Sequence, residues 1–423
     1  MVSPYVGIIQ IRLTGQGGTA HSQPAFPQAP PIDERHLNTF LRELQGETSA
    51  GSGSRLLFSP VCAILNQSNK PEDAMKRCFM FILTAALCLT GCGRQAEEAT
   101  ARIFAMDTVM EVTAYGGQAE QVVTSVQETI RTLEDQFSRT KEDSAVSALN
   151  REGTAENVPE DVRQLIAQAQ EYRDATGGAF DITIAPVMDA WGFTGDSFRV
   201  PSAAELAELL TKVDSNRIRM QDGPSASVTL GEGQAIDLGG IAKGYTSDQV
   251  ERVFRSGGAE SGKISLGGNV FVLGAKPDGS DWRVGIRDPR NESGLAVILP
   301  LRDAYAITSG GYERYFEEDG KTYHHIIDPS TGYPADSGLL SVTVVADANG
   351  PDSTGAGNGT MCDAFSTALF VMGEEKALDF WRSGGYDFDL VLVTADGRVV
   401  VTAGLADRFE KVEDSGYVYE TVS

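Results

Sequence analysis

The amino-acid sequence predicts an α+β fold with mixed or antiparallel sheets. Amphipathic helical segments and short β-branched segments interleave along residues 102–423 without a regular βαβ repeat. Only Cys362 lies in this part of the chain, so no disulfide can form within it and packing alone must hold the fold. The chain has 423 residues, enough for an ample core, and we expect residues 102–423 to form one domain.

The spacing of apolar residues predicts the individual elements. Val122, Val126, Ile130 and Leu133 follow helical spacing and predict a helix over 118–137. Further helices are expected over 160–176, 203–211, 246–255 and 363–372. Strands are expected over 103–115, 263–273, 281–286, 295–301, 304–307, 340–346, 388–393 and 398–402.

The charge balance argues against one class of partner. The chain carries 59 acidic and 35 basic side chains, for a formal net charge of −24. Such a protein repels phosphate backbones unless it has a local basic stripe, and the sequence shows none. We therefore expect no nucleic-acid partner.

The first 101 residues differ from the rest of the chain. Residues 1–74 are rich in Pro, Gly and Ser without periodicity, which indicates disorder or sequence upstream of a true start at Met75. A basic pair, a short apolar run and Leu-Thr-Gly-Cys then follow, a pattern typical of a bacterial lipoprotein signal over 75–91. The run is shorter than the roughly 20 residues of a spanning helix. We expect lipidation of Cys92, a tether over 92–101 and an envelope protein on the extracytoplasmic face of a bacterial membrane; a buried core helix is the alternative.

The stretch AIDLGGIAKGYTSD, residues 235–248, is the first candidate for a ligand site. Asp237 ends an apolar run, a glycine pair follows, and Lys243 precedes a predicted helix. Glycines allow a ligand close to the backbone, amides at a helix start suit an anion, and lysine adds a charge for phosphate. The stretch is neither GxGxxG nor a Walker A motif. A plain connection between strand and helix is the other interpretation.

Asp363 and Thr367 are a candidate metal-binding pair. They are four residues apart on a predicted helix and therefore lie on one face. Carboxylate and hydroxyl oxygens suit Mg²⁺, which takes few protein ligands and completes its shell with water or phosphate. Alternatively, Asp363 caps the helix and Thr367 is an ordinary buried threonine.

Histidine and aromatic residues provide further candidates. His324 and His325 are adjacent, so in an extended run only one of them can serve a given site, as a general base or as a packed side chain. Trp191-Gly192-Phe193 suits stacking on a flat ring or lining a core. Residues 102–423 contain no Ser-His-Asp order, zinc-spaced Cys/His cluster or CxxC. Serine-triad hydrolysis, zinc chemistry and thiol redox chemistry are thereby excluded as interpretations.

Taken together, the motifs resemble the ApbE family of FAD:protein FMN transferases. The matching segments occur in the family's order and span nearly all of 102–423, and the lipoprotein signal also fits, since many members are envelope lipoproteins. These segments are AMDTVMEV, AFDITIAPVMDAWGF, AIDLGGIAKGYTSD, KISLGGN, WRVGIRDP, AITSGGYERYF, HHIIDPSTGYP and CDAFSTALFVMG.

The resemblance implies an ApbE-like, T-fold-related domain that passes FMN from FAD to a threonine hydroxyl of a target flavoprotein and releases AMP, with Mg²⁺ polarising the pyrophosphate. It implies that Asp363, Thr367 and the carbonyl of Gly240 bind the metal, and that His325 is a base or phosphate partner. The implied FAD contacts are Met106, Arg139, Trp191, Gly192, Phe193, Asp237, Lys243 and Ile327. Hydrolysis of FAD to FMN and AMP, and flavin binding without turnover, are the alternatives.

One segment departs from the family pattern. The loop over 347–360 is longer than usual before the metal-binding helix. Its residues 353–356, Ser-Thr-Gly-Ala, resemble part of the flavinylation motif of target proteins, but Gly357 stands where that motif needs a threonine. We therefore do not expect the chain to flavinylate itself.

Overall fold

The computed structural model describes residues 96–195, 197–223, 225–348 and 357–423, all of which fall in one contact-defined unit. The predicted segments 1–74 and 75–91, the predicted anchor Cys92 and the motif 353–356 lie outside the described residues. Residues 98–101 belong to a strand, whereas the sequence predicted a tether there. Within the described residues, no helix has the length and apolar character needed to cross a membrane.

Strands and helices interleave along the described chain. The helices are α1 Ala119–Phe137, α2 Ala145–Glu152, α3 Glu160–Ala175, α4 Ala185–Trp191, α5 Ala203–Leu210, α6 Ala242–Ser256, α7 Asn358–Met372 and α8 Glu374–Arg382. The strands are β1 Glu98–Ala105, β2 Thr108–Tyr115, β3 Thr154–Glu156, β4 Arg219–Gln221, β5 Ser227–Thr229, β6 Ser261–Leu266, β7 Asn269–Leu273, β8 Trp282–Asp288, β9 Asn291–Leu301, β10 Ala304–Gly310, β11 Tyr315–Glu318, β12 Lys321–His324, β13 Leu339–Asp347, β14 Asp389–Thr394, β15 Arg398–Thr402, β16 Glu410–Lys411 and β17 Val418–Val422.

The largest sheet among the described residues has nine strands, in the order β1-β2-β6-β7-β10-β13-β14-β15-β17. Every neighbouring pair is antiparallel except β15 and β17, which are parallel. Three smaller sheets pair β11 with β12, β9 with β8 and β16, and β5 with β3 and β4. The predicted α+β class with mixed and antiparallel sheets is confirmed.

Helices cover one face of the large sheet and a β-hairpin covers the other. Alternation along β7 shows this directly, because Phe271 and Leu273 enter the core beneath the helices, whereas Val270 and Val272 enter a second core with β8 and β9. A third, smaller cluster forms around Trp191. Each fully buried Val, Leu, Ile, Phe or Met side chain in these clusters contributes about 1.5–3 kcal/mol of transfer free energy, and this burial stabilises the fold without disulfides.

Several local predictions were wrong for identifiable reasons. The single strand expected over 103–115 is the hairpin β1–β2, because the backbone reverses at Met106-Asp107. Helices α2 and α4 lie in segments for which the apolar spacing predicted no helix. In α4 a proline occupies the first turn, where its missing N–H costs nothing.

Two tight turns meet at one end of the large sheet. The β1–β2 turn consists of Met106 and Asp107, and the neighbouring β6–β7 turn consists of Gly267 and Gly268. All four residues have positive φ, the requirement of a two-residue type I′ turn. Because β2 pairs with β6, the two turns lie side by side, and an added Cβ at Gly267 would lie 2.2 Å from Thr108 Oγ1.

Helices α6 and α7 cross at very short range above this end. A Cβ added to Gly244 would lie 2.3 Å from the Gly359 carbonyl oxygen and 2.6 Å from Asp363 Cβ. A Cβ added to Gly359 would lie 2.8 Å from the Gly244 carbonyl oxygen. No side chain larger than hydrogen fits at either position, so the backbones themselves are in contact.

Asp248 of α6 caps the start of α7. Its carboxylate accepts hydrogen bonds from the Gly359 amide at 2.8 Å and the Thr360 amide at 2.9 Å, as well as from the Thr360 hydroxyl. Burial raises the pKa of Asp248 to about 6, against the opposing effect of these donors. Asp248 thereby accepts hydrogen bonds from two amides of the α7 N-terminus that have no acceptor within the helix.

We expect Gly244→Ala to lower the free energy of unfolding by about 3 kcal/mol, because the new methyl group must push α6 away from α7. Urea unfolding monitored by circular dichroism measures this change. Gly117→Ala is the matched control, since nothing lies within 4 Å of a Cβ added there, and it should shift stability by less than about 0.5 kcal/mol. Equal midpoints for the two variants would contradict the close crossing.

Candidate functional site

Asp363 is a buried carboxylate held by the backbone of the neighbouring helix. Its Oδ2 accepts a 2.7 Å hydrogen bond from the Gly244 amide, and the residue is 3% exposed. The amide lies in the first turn of α6, where helix N–H groups lack intrahelical partners and favour negative charge. This bond fixes the carboxylate while Oδ1 makes no described hydrogen bond.

Thr367 lies one turn further along α7 and joins a cluster of oxygens. Its Oγ1 is 3.1 Å from Ser309 Oγ of β10, and Ser309 Oγ is also 2.8 Å from Ser366 Oγ. A Cβ added to Gly240 would lie 3.6 Å from Thr367 Oγ1 and 3.1 Å from a ring carbon of Phe180. Gly240 therefore packs directly beside Thr367, and the structure brings the three predicted metal-binding residues to one place.

The chemistry of this group suits a hard cation. A carboxylate, a hydroxyl and a backbone carbonyl are all oxygen donors of the kind that Mg²⁺ takes. Among the described residues, no group of three or more His, Cys, Asp or Glu side chains is arranged to hold a metal ion. A metal site here therefore depends on hydroxyl and carbonyl oxygens in addition to the single carboxylate of Asp363.

Arg139 and Asp237 form one ion-pair network with Asp189. Arg139 Nη1 is 3.0 Å from Asp237 Oδ2, and Nη2 contacts both carboxylate oxygens of Asp189 at 2.8 and 2.7 Å. Asp237 Oδ1 also accepts from the Gly239 amide at 2.7 Å, which braces the turn before α6. The two predicted FAD contacts thus act together, and Asp189 is a partner that sequence reasoning missed although it lies in the segment AFDITIAPVMDAWGF.

Lys243 lies in the first turn of α6 and remains partly exposed. Its Nζ is 3.5 Å from the Gly239 carbonyl oxygen, a weak contact at the edge of hydrogen-bond range. The ammonium group is therefore available to a ligand beside the glycine turn.

Met106 occupies an unusual backbone conformation at the rim of the site. Its φ is +49°, in the left-handed region where a non-glycine residue costs about 1–3 kcal/mol. Its amide donates to Glu134 Oε1 at 2.7 Å, and its sulfur lies 3.8 Å from Thr246 Oγ1 of α6. The surroundings therefore hold the strained residue against α6.

The two histidines differ in how their ring nitrogens are used. His324 uses both ring nitrogens internally, since Nε2 donates to the Ala335 carbonyl at 3.0 Å and Nδ1 accepts from the Ile326 amide at 3.3 Å. His325 Nδ1 lies 3.1 Å from the Arg314 carbonyl oxygen and must donate to it, which leaves Nε2 as an acceptor. Burial and the positive charge of Arg314 lower the pKa of His325 well below its usual range. His325 is therefore a neutral imidazole at neutral pH, and its Nε2 makes no hydrogen bond within the described residues.

Arg314 connects the predicted residues and was missed by sequence reasoning. Its Nη1 donates to the Phe193 carbonyl at 2.9 Å, and its Nη2 lies 3.9 Å from Asp107 Oδ2 in the β1–β2 turn. It lies in the segment AITSGGYERYF, but nothing in the sequence indicates that this arginine reaches across to two other motifs.

Trp191, Phe193 and Ile327 form part of the third core cluster rather than an open surface. They are 0%, 1% and 6% exposed, and Trp191 Nε1 donates to the Gly332 carbonyl at 2.7 Å. Gly192 ends α4 between them with a φ of +82°. Their aromatic neighbours are Phe198, Phe316, Tyr323 and Tyr333. These rings pack on one another, and direct contact of residues 191–193 and Ile327 with FAD stays a prediction.

Comparison with known proteins places the chain in a family. The model of the ApbE family matches residues 106–390. An FAD:protein FMN transferase from Treponema pallidum is 34% identical over 362 residues, covering 80% of this chain and 97% of the relative. One from Klebsiella pneumoniae is 34% identical over 304 residues, covering 70% and 90% respectively. The chain belongs to the ApbE family, as its sequence motifs predicted.

Solved structures agree with this assignment. The ApbE protein of Thermotoga maritima superimposes with a TM-score of 0.65 at 32% identity and covers 75% of this chain and 97% of that structure. The flavinyl transferase ApbE of Pseudomonas stutzeri gives a TM-score of 0.61 at 29% identity, covering 72% and 92%.

We expect the imidazole of His325 to titrate well below pH 6.5. NMR of the histidine ring protons measures this midpoint, and the signal is assigned by its loss in His325→Gln. Arg314→Gln should raise the midpoint of His325, because a positive charge is removed, and leave His324 nearly unchanged. Because the pKa of His325 is lower in the folded state than in the unfolded state, His325 contributes its full stabilisation above pH 6.5. That contribution is lost as the pH falls from 6.5 through the lowered pKa of the folded protein. A midpoint at or above 6.5 would overturn the assignment.

Proposed function

We propose that this chain transfers FMN from FAD to a threonine hydroxyl of a target protein, with Mg²⁺, and releases AMP. One observation carries the proposal: the oxygens of Asp363 and Thr367 and the backbone of Gly240 come together from segments more than a hundred residues apart. Relatives that align over most of the chain are named FAD:protein FMN transferase, which supports FAD as substrate and a protein as acceptor.

The residues of the candidate site would have separate roles in phosphoryl transfer. Mg²⁺ bound at Asp363, Thr367 and Gly240 would neutralise charge on the pyrophosphate and on the transferred phosphoryl group. The Gly244 amide holds Asp363 in position for this role. Lys243 adds a positive charge beside the glycine turn, and the ion pair of Arg139 with Asp237 keeps that turn rigid.

His325 supplies the base. The acceptor hydroxyl forms a bond to the phosphorus of the FMN half while its proton passes to His325 Nε2, the nitrogen that is free in the structure. The bond from that phosphorus to the oxygen of AMP breaks, and AMP leaves with its phosphate. Nδ1 stays bonded to the Arg314 carbonyl, which orients the ring throughout.

We expect Asp363→Asn to lower the rate of AMP release at least a hundredfold with little loss of stability. The amide oxygen of Asn can still accept from Gly244, but the negative charge that attracts the metal is gone. The assay follows AMP and covalently bound flavin on a threonine-containing acceptor, with Mg²⁺ added or chelated. Asp379→Asn, an exposed aspartate on α8, is the matched control and should keep full activity.

The products separate the competing functions. Release of AMP without flavin on the acceptor would indicate hydrolysis of FAD. Tight FAD binding without AMP or labelled acceptor would refute the proposal that the protein is an enzyme. Undiminished activity of Asp363→Asn would remove the metal assignment.

We further propose that the domain is anchored by lipid on Cys92 at the extracytoplasmic face of a bacterial membrane. The signal pattern over 75–91 supports this, and β1 begins at Glu98, soon after the anchor. In a bacterial host, labelled palmitate should enter the full chain and fail to enter Cys92→Ala, which should also leave the membrane fraction. Cys362→Ala is the control, since that thiol is buried. Equal labelling of all three proteins would contradict the anchor.

A further inference from the structure

Asn269 is a buried amide without a partner. The residue is 1% exposed, and its Nδ2 has no hydrogen-bond partner in the described structure. An unsatisfied buried donor costs about 1–3 kcal/mol, so such groups are rare in folded proteins. Asn150 shows the ordinary arrangement, because its amide donates to the Ile236 carbonyl at 2.8 Å and accepts from the Ile236 amide at 2.7 Å.

The sheet places Asn269 beside the oxygen cluster. Asn269 begins β7 directly after the Gly267-Gly268 turn and pairs with Ile307 of β10. Its face is the one beneath the helices, since Phe271 and Leu273 share it and belong to the helix-covered core. Ser309, two residues after Ile307 on the same face, contacts Thr367. Diagonal neighbours of this kind lie about 7–8 Å apart, within reach of a single phosphate or carbonyl group between them.

We propose that Asn269 is a substrate-binding residue whose Nδ2 donates to an oxygen of bound FAD. This inference rests on the proposed function, because it takes FAD as the ligand of the site. The ligand chemistry is an oxygen acceptor, either a phosphoryl oxygen or a carbonyl of one of the ring systems. The unsatisfied donor destabilises the ligand-free protein and is satisfied when FAD enters.

The test compares stability with affinity in the full-length protein. Asn269→Leu keeps the branched outline of the side chain and its number of heavy atoms and has no polar group, so the ligand-free protein should melt at the same or a higher temperature, while the Kd for FAD rises about tenfold. Asn269→Asp keeps the shape but presents only acceptors, and we expect a larger loss of affinity. Asn150→Ala, the satisfied comparator, should instead lower the melting temperature of the ligand-free protein.

Titrations with FMN and with AMP locate the contact. A loss of affinity for FMN alone assigns the oxygen to the flavin half, and a loss for AMP alone assigns it to the adenylate half; either result supports the proposal. A lower melting temperature for Asn269→Leu, with unchanged affinity for FAD, would overturn it and make the amide structural.

The proposed FMN transfer and the proposed role of Asn269 can be refuted independently of each other. If the wild-type protein binds FAD but forms no product, the proposed transferase is refuted while the titrations still decide the role of Asn269. If the wild-type protein transfers FMN and the Asn269 variants bind FAD as tightly as it does, only the inference about Asn269 is refuted.

Discussion

The contact between α6 and α7 is the constraint on which the site depends. Gly244 and Gly359 let the two backbones touch, and the amide of Gly244 then reaches the carboxylate of Asp363 at 2.7 Å. Asp248 makes the reciprocal contact, from α6 to the start of α7. Because the bonds run in both directions, neither helix can rotate or slide without breaking a buried polar contact, and such breaks are costly. The oxygens proposed to bind the metal are thereby positioned by helix packing.

A second layer of polar contacts holds the turn that enters α6. Arg139, which lies between α1 and α2, bridges Asp237 and Asp189. Its guanidinium therefore connects its own segment to the turn before α6 and to the end of α4. Arg139 is 13% exposed at its side chain, which makes the attraction stronger than that of a surface pair. The site therefore tolerates its glycine turn because charged side chains around it limit the turn's motion.

Sequence reasoning named candidate residues that the structure brings close together, but it did not predict the contacts that connect them. Helical spacing put Asp363 and Thr367 on one face, and the resemblance to the ApbE family implied that Gly240 joins them. No local sequence pattern indicates that Arg139 pairs with Asp189. The same holds for Arg314, which contacts Asp107 and Phe193 in other segments of the chain. The hairpin at Met106-Asp107 was missed because its turn lacks glycine or asparagine, the usual residues at positive φ. For Trp191 and Phe193 the sequence left stacking on a ring and packing in a core as alternatives, and the structure packs both rings into a core.

The features that cost stability lie near one another at one end of the large sheet. Met106 holds a left-handed conformation there, and two strands away Asn269 buries a donor without a partner. The neighbouring β6–β7 turn shows that this end can be built without such a cost, because glycine takes its positive φ angles freely. A fold under selection for stability alone would have replaced Asn269 with an apolar residue, as at Phe271 and Leu273 on the same strand face. The cost is explained if a ligand contacts these residues, since a ligand that binds only the folded state stabilises it by RT ln(1 + [L]/Kd). On the proposal that FAD pairs with Asn269, this end of the sheet is organised for the bound state.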